Sequence, residues 1–142
     1  MTANIFIVED HEAMQNAYRL LLKQEEEMVL VGMVETGEQA LEQLEEVSAD
    51  LVLVDLSLPG MSGLDFLAAL HRRFTELPTL VISGHVEPHY VDSALRNGSR
   101  GYIDKKDAAA DIIDGIRAVL SGHLYLSTRL RDRFGYWLSE ER

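Results

Sequence analysis

Apolar residues are spread along this chain in two alternating rhythms. Short runs in which nearly every residue is apolar, and many are β-branched, occur at Asn4–Val8, Met28–Val34, Leu51–Val54, Pro78–Ile82 and, more briefly, Gly101–Ile103. Such runs predict strands buried on both faces, because a strand with one wet face alternates polar and apolar positions. After each run the period lengthens to that of an amphipathic helix. Met14, Ala17, Tyr18, Leu21 and Leu22 share one helical face, with Glu12, Gln15, Arg19 and Lys23 opposite. Ala40, Leu41, Leu44 and Val47 follow the second run, and Leu64, Leu67, Ala68 and Leu70 the third. Val91, Ala94 and Leu95 follow the fourth, and Ile112, Ile113, Ile116, Val119 and Leu120 the fifth.

Boundary residues agree with this division. Ser62, with Asp65 three positions on, resembles a capping arrangement, Pro88 suits a first helical turn, and Asn97-Gly98 makes a left-handed stop. Asp107 is placed to cap the last long helix and Gly122 to end it. Five strand–helix units in succession predict a parallel sheet with helices on both faces and right-handed crossovers, a doubly wound α/β domain. That domain is expected over 1–122, leaving 123–142 as a C-terminal tail or the start of a linker. In the tail, Ser127 is a candidate cap, and Leu130, Phe134, Trp137 and Leu138 recur at roughly helical spacing, which predicts a turn-rich helix.

Composition narrows the function classes. With 142 residues, 46% of them hydrophobic, there is material for one core and too little for two full domains. Acidic residues outnumber basic ones 24 to 13, and the formal charge of -11 comes with no basic stripe, so nucleic acid is not an expected partner of this segment by itself. There are 0 cysteines, which excludes disulfides and thiolate metal sites and agrees with a reducing cytoplasm. No apolar run reaches the length of a membrane span, and the N-terminus lacks a signal-peptide pattern, so a soluble cytoplasmic protein is expected.

The chemistry gathers where the strands end. Parallel strands all point one way, so Glu9-Asp10, Glu35, Asp55, Ser83-Gly84 and Lys105 are delivered to one edge of the sheet, the edge at which open α/β sheets bind their ligands. The carboxylates of Glu9, Asp10 and Asp55 in a partly desolvated crevice repel one another and call for a cation. Oxygen ligands without cysteine point to a hard ion, Mg2+ or Mn2+. Lys105 as a point charge and Ser83 as a donor complete a pocket for a phosphoryl group. Taken singly, each residue has a plainer explanation: a solvated helix start for the acids, a surface charge for Lys105, a turn for Ser83, a half-buried aromatic for Tyr102. Their joint occurrence at several strand ends does not.

The set Glu9-Asp10, Asp55 followed by Leu58-Pro59-Gly60-Met61-Ser62-Gly63, then Ser83-Gly84, Tyr102 and Lys105, resembles the receiver domain of two-component response regulators, with the likeness running from about Ile5 to Leu120. The stretches Gly101–Lys105 and Ala118–Ser127 are similar to the NarL/FixJ, LuxR-type branch, in which a DNA-binding domain follows the receiver. The resemblance implies a flavodoxin-like (βα)5 fold of strand order 2-1-3-4-5. It implies Asp55 as the phosphoacceptor for a sensor histidine kinase, and a metal held by Asp10, Asp55 and the Ser57 backbone carbonyl, with Glu9 acting through water. Ser83 and Lys105 would hold the phosphoryl oxygens, with Gly84 leaving space beside them, and Ser83 and Tyr102 would form a switch. It also implies homodimerisation on phosphorylation and control of transcription through a LuxR-type output domain absent from this chain. A stand-alone receiver, acting by protein contacts or as a phosphorelay intermediate, is the alternative.

Lys106 stands where many receivers have proline after the lysine, so a trans peptide is expected there. Phosphatases that use an aspartyl phosphate place a second Asp two residues after the nucleophile, where this chain has Ser57, so turnover of external phosphomonoesters is not expected. A flavin-binding domain needs a phosphate loop after the first strand, and Glu9-Asp10-His11-Glu12 would repel one. None of the five histidines shows a metal-ligand spacing, and His85 near the pocket mouth is a candidate for tuning phosphate lifetime.

Overall fold

The computed structural model describes residues 2–139. The element order is β1 (Ala3–Val8), α1 (Glu12–Lys23), β2 (Met28–Val34), α2 (Gly37–Gln43), β3 (Leu51–Val54), α3 (Gly63–Arg73), β4 (Thr79–Ser83), α4 (Pro88–Arg96), β5 (Gly101–Asp104), a 3-10 turn (Lys105–Asp107), α5 (Ala108–Leu120), β6 (Tyr125–Leu126), α6 (Thr128–Phe134) and α7 (Tyr136–Ser139). All neighbouring strands run parallel, in the order β2-β1-β3-β4-β5-β6.

Alternation along each buried strand splits the core in two. Phe6, Val8, Val52, Val54, Val81 and Tyr102 face Phe66, Leu67 and Leu70 of α3 and Val91, Ala94 and Leu95 of α4. Ile5, Ile7, Leu51, Leu53, Leu80, Ile82 and Ile103 face Tyr18 and Leu22 of α1 and Ile112, Ile116 and Val119 of α5. The runs of β1, β3, β4 and β5 are therefore sandwiched between helix layers, whereas Met28–Val34, expected to be buried on both faces, forms the edge strand and is buried only at its two ends, with Val29 exposed. The register of β1 against β2 slips between Ile5 and Phe6, where Gly32 faces the Phe6 ring so closely that a Cβ would lie 2.6 Å from it.

Helix ends follow the expected chemistry in part. Ser62 Oγ accepts from Asp65 N, Pro88 opens α4, and Gly98 and Gly122 have φ of +98° and +90°. Asp107 precedes α5 but does not cap it; its carboxylate accepts from Arg129 N and Nε instead. Ser127 precedes α6, and its buried hydroxyl accepts from Asp104 N rather than capping its own helix. No cis peptide occurs among the described residues, as expected for Lys105-Lys106.

The tail differs from a simple helix. Tyr125-Leu126 adds a sixth strand beside β5, with Tyr125 N donating to Arg100 O and Ser127 N to Tyr102 O. Gly101 permits this approach, since a Cβ there would meet Tyr125 O at 2.9 Å. Leu124, Leu126, Leu130 and Phe134 are buried in the same core cluster as α4, so Leu124–Phe134 continues the fold's packing past Gly122.

Candidate functional site

Asp55 follows β3 directly, and its backbone N donates to Val8 O, which fixes it beside the end of β1. Only 1% of its side chain is exposed. One carboxylate oxygen, Oδ1, accepts from Ser57 N at 3.0 Å, and the other lies 3.1 Å from Lys105 Nζ. The loop that follows is anchored elsewhere: Met61 N donates to Glu38 Oε2 of α2, and Gly60 turns with φ +80°. Gly63 lets α3 start against Leu56, whose Cα would stand 2.4 Å from a Cβ.

Glu9 is wholly buried, and Asp10 is partly exposed. Glu9 Oε1 accepts from Tyr18 OH at 3.2 Å and lies 3.8 Å from Lys105 Nζ, while Oε2 accepts from His11 N at 3.1 Å. Burial pushes the Glu9 carboxyl above its ordinary range, and the nearby Asp55 charge adds to that rise against the opposing His11 bonds and Lys105. Burial, with Glu9 and Asp55 alongside, likewise raises the Tyr18 hydroxyl. Asp10 Oδ1 is buried and accepts no hydrogen bond among the described residues. Ligand atoms of Glu9, Asp10, His11 and Asp55 all lie within 4.8 Å of one another, a spacing compatible with one bound divalent ion.

His11 belongs to this group although spacing along the chain gave no hint of it. Its Nδ1 is 3.0 Å from Glu9 Oε2, 3.3 Å from Asp10 Oδ1 and 3.7 Å from Asp55 Oδ2, with the ring 57% exposed. The available signal was adjacency, because a residue following two rim acids at a helix start shares their edge. Glu35, by contrast, is exposed and outside the cluster; its backbone N donates to Gln39 Oε1 in the capping box of α2.

Ser83 is buried at the end of β4, and its Oγ accepts from His85 N at 3.0 Å. Gly84 is exposed, and a Cβ there would meet nothing within 4 Å. Ser57 is exposed beside Asp55. Tyr102 is 0% exposed, its hydroxyl donating to His85 O, and burial raises its pKa.

The structure is thus an α/β domain with an all-parallel sheet whose carboxyl edge carries buried acids, a lysine and a hydroxyl. Residues 5–117 match the response regulator receiver domain family, and the chain belongs to that family. The transcriptional activator ExaE of Pseudomonas putida is 34% identical over 126 residues, covering 89% of this chain and 59% of that protein. A LuxR-family two-component response regulator from an Aurantimonas species superposes with a TM-score of 0.90 at 24% identity, covering 99% of this chain and 100% of that one. RcsB of Salmonella enterica serovar Typhimurium, bound to promoter DNA with a beryllofluoride phosphomimetic, superposes with a TM-score of 0.86 at 22% identity, covering 95% of this chain and 67% of that one. The chain spans a little over half the length of the curated relatives it matches. No helix among the described residues is long and apolar enough to cross a membrane.

Proposed function

We propose that this receiver domain works by accepting a phosphoryl group on Asp55 from a phosphohistidine of a sensor kinase. The observation that carries the reading is a nearly buried carboxylate held 3.1 Å from Lys105 Nζ and grouped with Glu9, Asp10 and His11. A carboxylate oxygen of Asp55 forms the new bond to phosphorus as the bond from phosphorus to the imidazole nitrogen breaks, and that nitrogen keeps the electron pair. Ser57 N–H and Lys105 hold the carboxylate oxygens, so the nucleophile is oriented before the donor arrives. Lys105 offsets charge on the transferred oxygens, and Ser83 supplies a hydroxyl to them.

The residues present fit a divalent cation, because Asp10 Oδ1 is a buried acceptor with no hydrogen bond and Glu9 is already pushed toward its neutral form. Mg2+ or Mn2+ would be held by Asp10, Asp55 and the Ser57 carbonyl, with Glu9 through water. When bound, it supplies charge neutralisation between acceptor and phosphoryl group. The chain turns over no external substrate on this reading; its chemistry is confined to labelling and clearing Asp55. The names of its relatives, a transcriptional regulatory protein and a transcriptional activator, support a place in a transcription regulator; a cytoplasmic location, a LuxR-type DNA-binding output and a homodimer formed on phosphorylation belong to the same proposal.

Incubation with acetyl phosphate and Mg2+, read by intact-protein mass, tests the proposal. One added phosphoryl group is expected in the parent, and none without metal or in Asp55→Asn. Equal labelling of the variant overturns the assignment.

A further inference from the structure

His11 stands between the acids that end β1 and the first turn of α1, and its backbone is fully committed there. Its N donates to Glu9 Oε2 at 3.1 Å, its O accepts from Gln15 N at 3.0 Å, and Gln15 Nε2 donates to Glu9 O at 2.7 Å. The residue holds the cap position of α1 in an extended conformation, with φ -85° and ψ 119°, yet its side chain makes no capping bond. A polar cap usually serves the backbone N–H groups of its own helix. This imidazole turns to the acids instead.

Its Nδ1 lies 3.0 Å from Glu9 Oε2, 3.3 Å from Asp10 Oδ1 and 3.7 Å from Asp55 Oδ2. Neighbouring donors on an octahedral ion with bonds of about 2.0–2.1 Å stand about 2.9 Å apart, so a nitrogen at these separations fits beside carboxylate oxygens around one shared ion. Asp10 Oδ1 is the informative contact. It is buried, has a ring nitrogen 3.3 Å away, and still accepts no hydrogen bond among the described residues. Close approach without a bond is how two ligands of one ion stand to each other. Lys105 leaves the position open, since the two oxygens of Glu9 are divided: Lys105 Nζ lies 3.8 Å from Oε1, and the imidazole is at Oε2. The ring is 57% exposed, and with its proton on Nε2 it presents a lone pair at Nδ1.

We propose that His11 Nδ1 is itself a ligand of the divalent ion, and that this nitrogen tilts the site toward first-row transition ions and away from Mg2+. The inference rests on the divalent-ion reading of Asp10 and Asp55. It departs from the donor set that the family resemblance implies, in which every ligand atom is an oxygen. Imidazole nitrogen suits Ni2+ and its neighbours, whereas Mg2+ favours carboxylate, carbonyl and water. An octahedral ion held by Asp10, Asp55, the Ser57 carbonyl and His11 keeps places for a water toward Glu9 and for a phosphoryl oxygen. His11 therefore changes which ion is chosen without closing the position that phosphoryl transfer needs.

Mn2+ bound to the chain without an affinity tag, read by electron spin-echo modulation, tests the ligand directly. The parent is expected to show the coupling of a directly bound imidazole nitrogen, and His11→Asn to bind Mn2+ without it. Asn is a favoured cap residue, so this variant keeps the start of α1; His11→Ala repeats the test with no side-chain donor at all. His85→Asn should keep the coupling. In calorimetric titrations the ratio of Ni2+ to Mg2+ affinity should fall at least about 10-fold in His11→Asn, the scale on which even outer-shell partners of a metal act, while Mg2+ binding stays close to the parent's. Bound Mn2+ without nitrogen coupling in the parent, coupling that persists in both His11 variants, or an unchanged affinity ratio overturns His11 as a ligand and leaves the oxygen site standing. Loss of the coupling in His85→Asn assigns the nitrogen to His85 and overturns it likewise. No Mn2+ binding by the parent, or binding undiminished in Asp10→Asn, overturns the divalent-ion reading of the site, and this inference with it.

Discussion

The two edges of the sheet handle charge in opposite ways. At the amino edge, Arg117 bridges Glu25 and Glu27 at 2.5 and 2.6 Å, Arg73 meets Glu45 at 2.6 Å, and Asn4 N donates to Asp50 Oδ2 at 2.7 Å. Those groups are largely solvated and matched, and the Arg117 contact lowers the Glu27 carboxyl and raises the guanidinium. At the carboxyl edge, Glu9 and Asp55 are buried next to Asp10, and the shift of Glu9 runs upward. Exposed pairs contribute little to stability, whereas buried like charges cost a good deal. Among the described residues, the costly grouping of buried acids lies at the carboxyl edge and the solvated, matched pairs at the amino edge.

Breaking the carboxyl edge should have the largest effect. Lys105→Met leaves Asp55 and Glu9 without their ammonium, and labelling by acetyl phosphate, followed by mass against time, should slow by roughly 100-fold while circular dichroism stays native. A core change under the tail comes next. Leu130→Ala should cost about 2–5 kcal/mol in urea unfolding, which would show that the segment past Gly122 shares the cooperative unit.

A pH series sharpens the contrast further. The folded-state pKa of Glu9 lies above its ordinary 4.5, so the folded chain holds a proton that the unfolded chain releases. Its contribution to stability is then full below 4.5 and is lost as pH rises through the raised value. Without divalent ions, the difference in thermal midpoint between parent and Glu9→Gln should move against the parent as pH climbs from that point, and Mg2+ should restore the parent. Arg117→Ala at the amino edge should matter least, with a small loss of thermal midpoint that vanishes in high salt and labelling kinetics unchanged.

Much of this was legible in the chain because doubly buried strands leave an unmistakable mark. Runs such as Leu51–Val54 placed β3, and the residues just beyond each run placed Glu9, Asp10, Asp55, Ser83 and Lys105 on one edge. What escaped was decided by contacts between distant residues. A strand of two residues, Tyr125-Leu126, has no periodicity to read, and its seat depends on Gly101 leaving room. Asp107 and Ser127 precede helices as capping residues do, yet partners from elsewhere, Arg129 and Asp104, take their oxygens. Glu35 ends a strand as the rim acids do, but it lies beside the capping box of α2 and points into solvent. His11 entered the acidic group through a side-chain orientation that spacing does not encode.

The central claim concerns which carboxylate takes the phosphoryl group. Borohydride reduces an acyl phosphate to the alcohol, so a phosphorylated aspartate becomes homoserine and keeps its place in the sequence. Peptide mass spectrometry of the labelled and reduced protein should find homoserine at position 55 and nowhere else. Reduction at Glu9 or Asp10, or a phosphorylated protein that yields no reduced residue at all, would contradict the account.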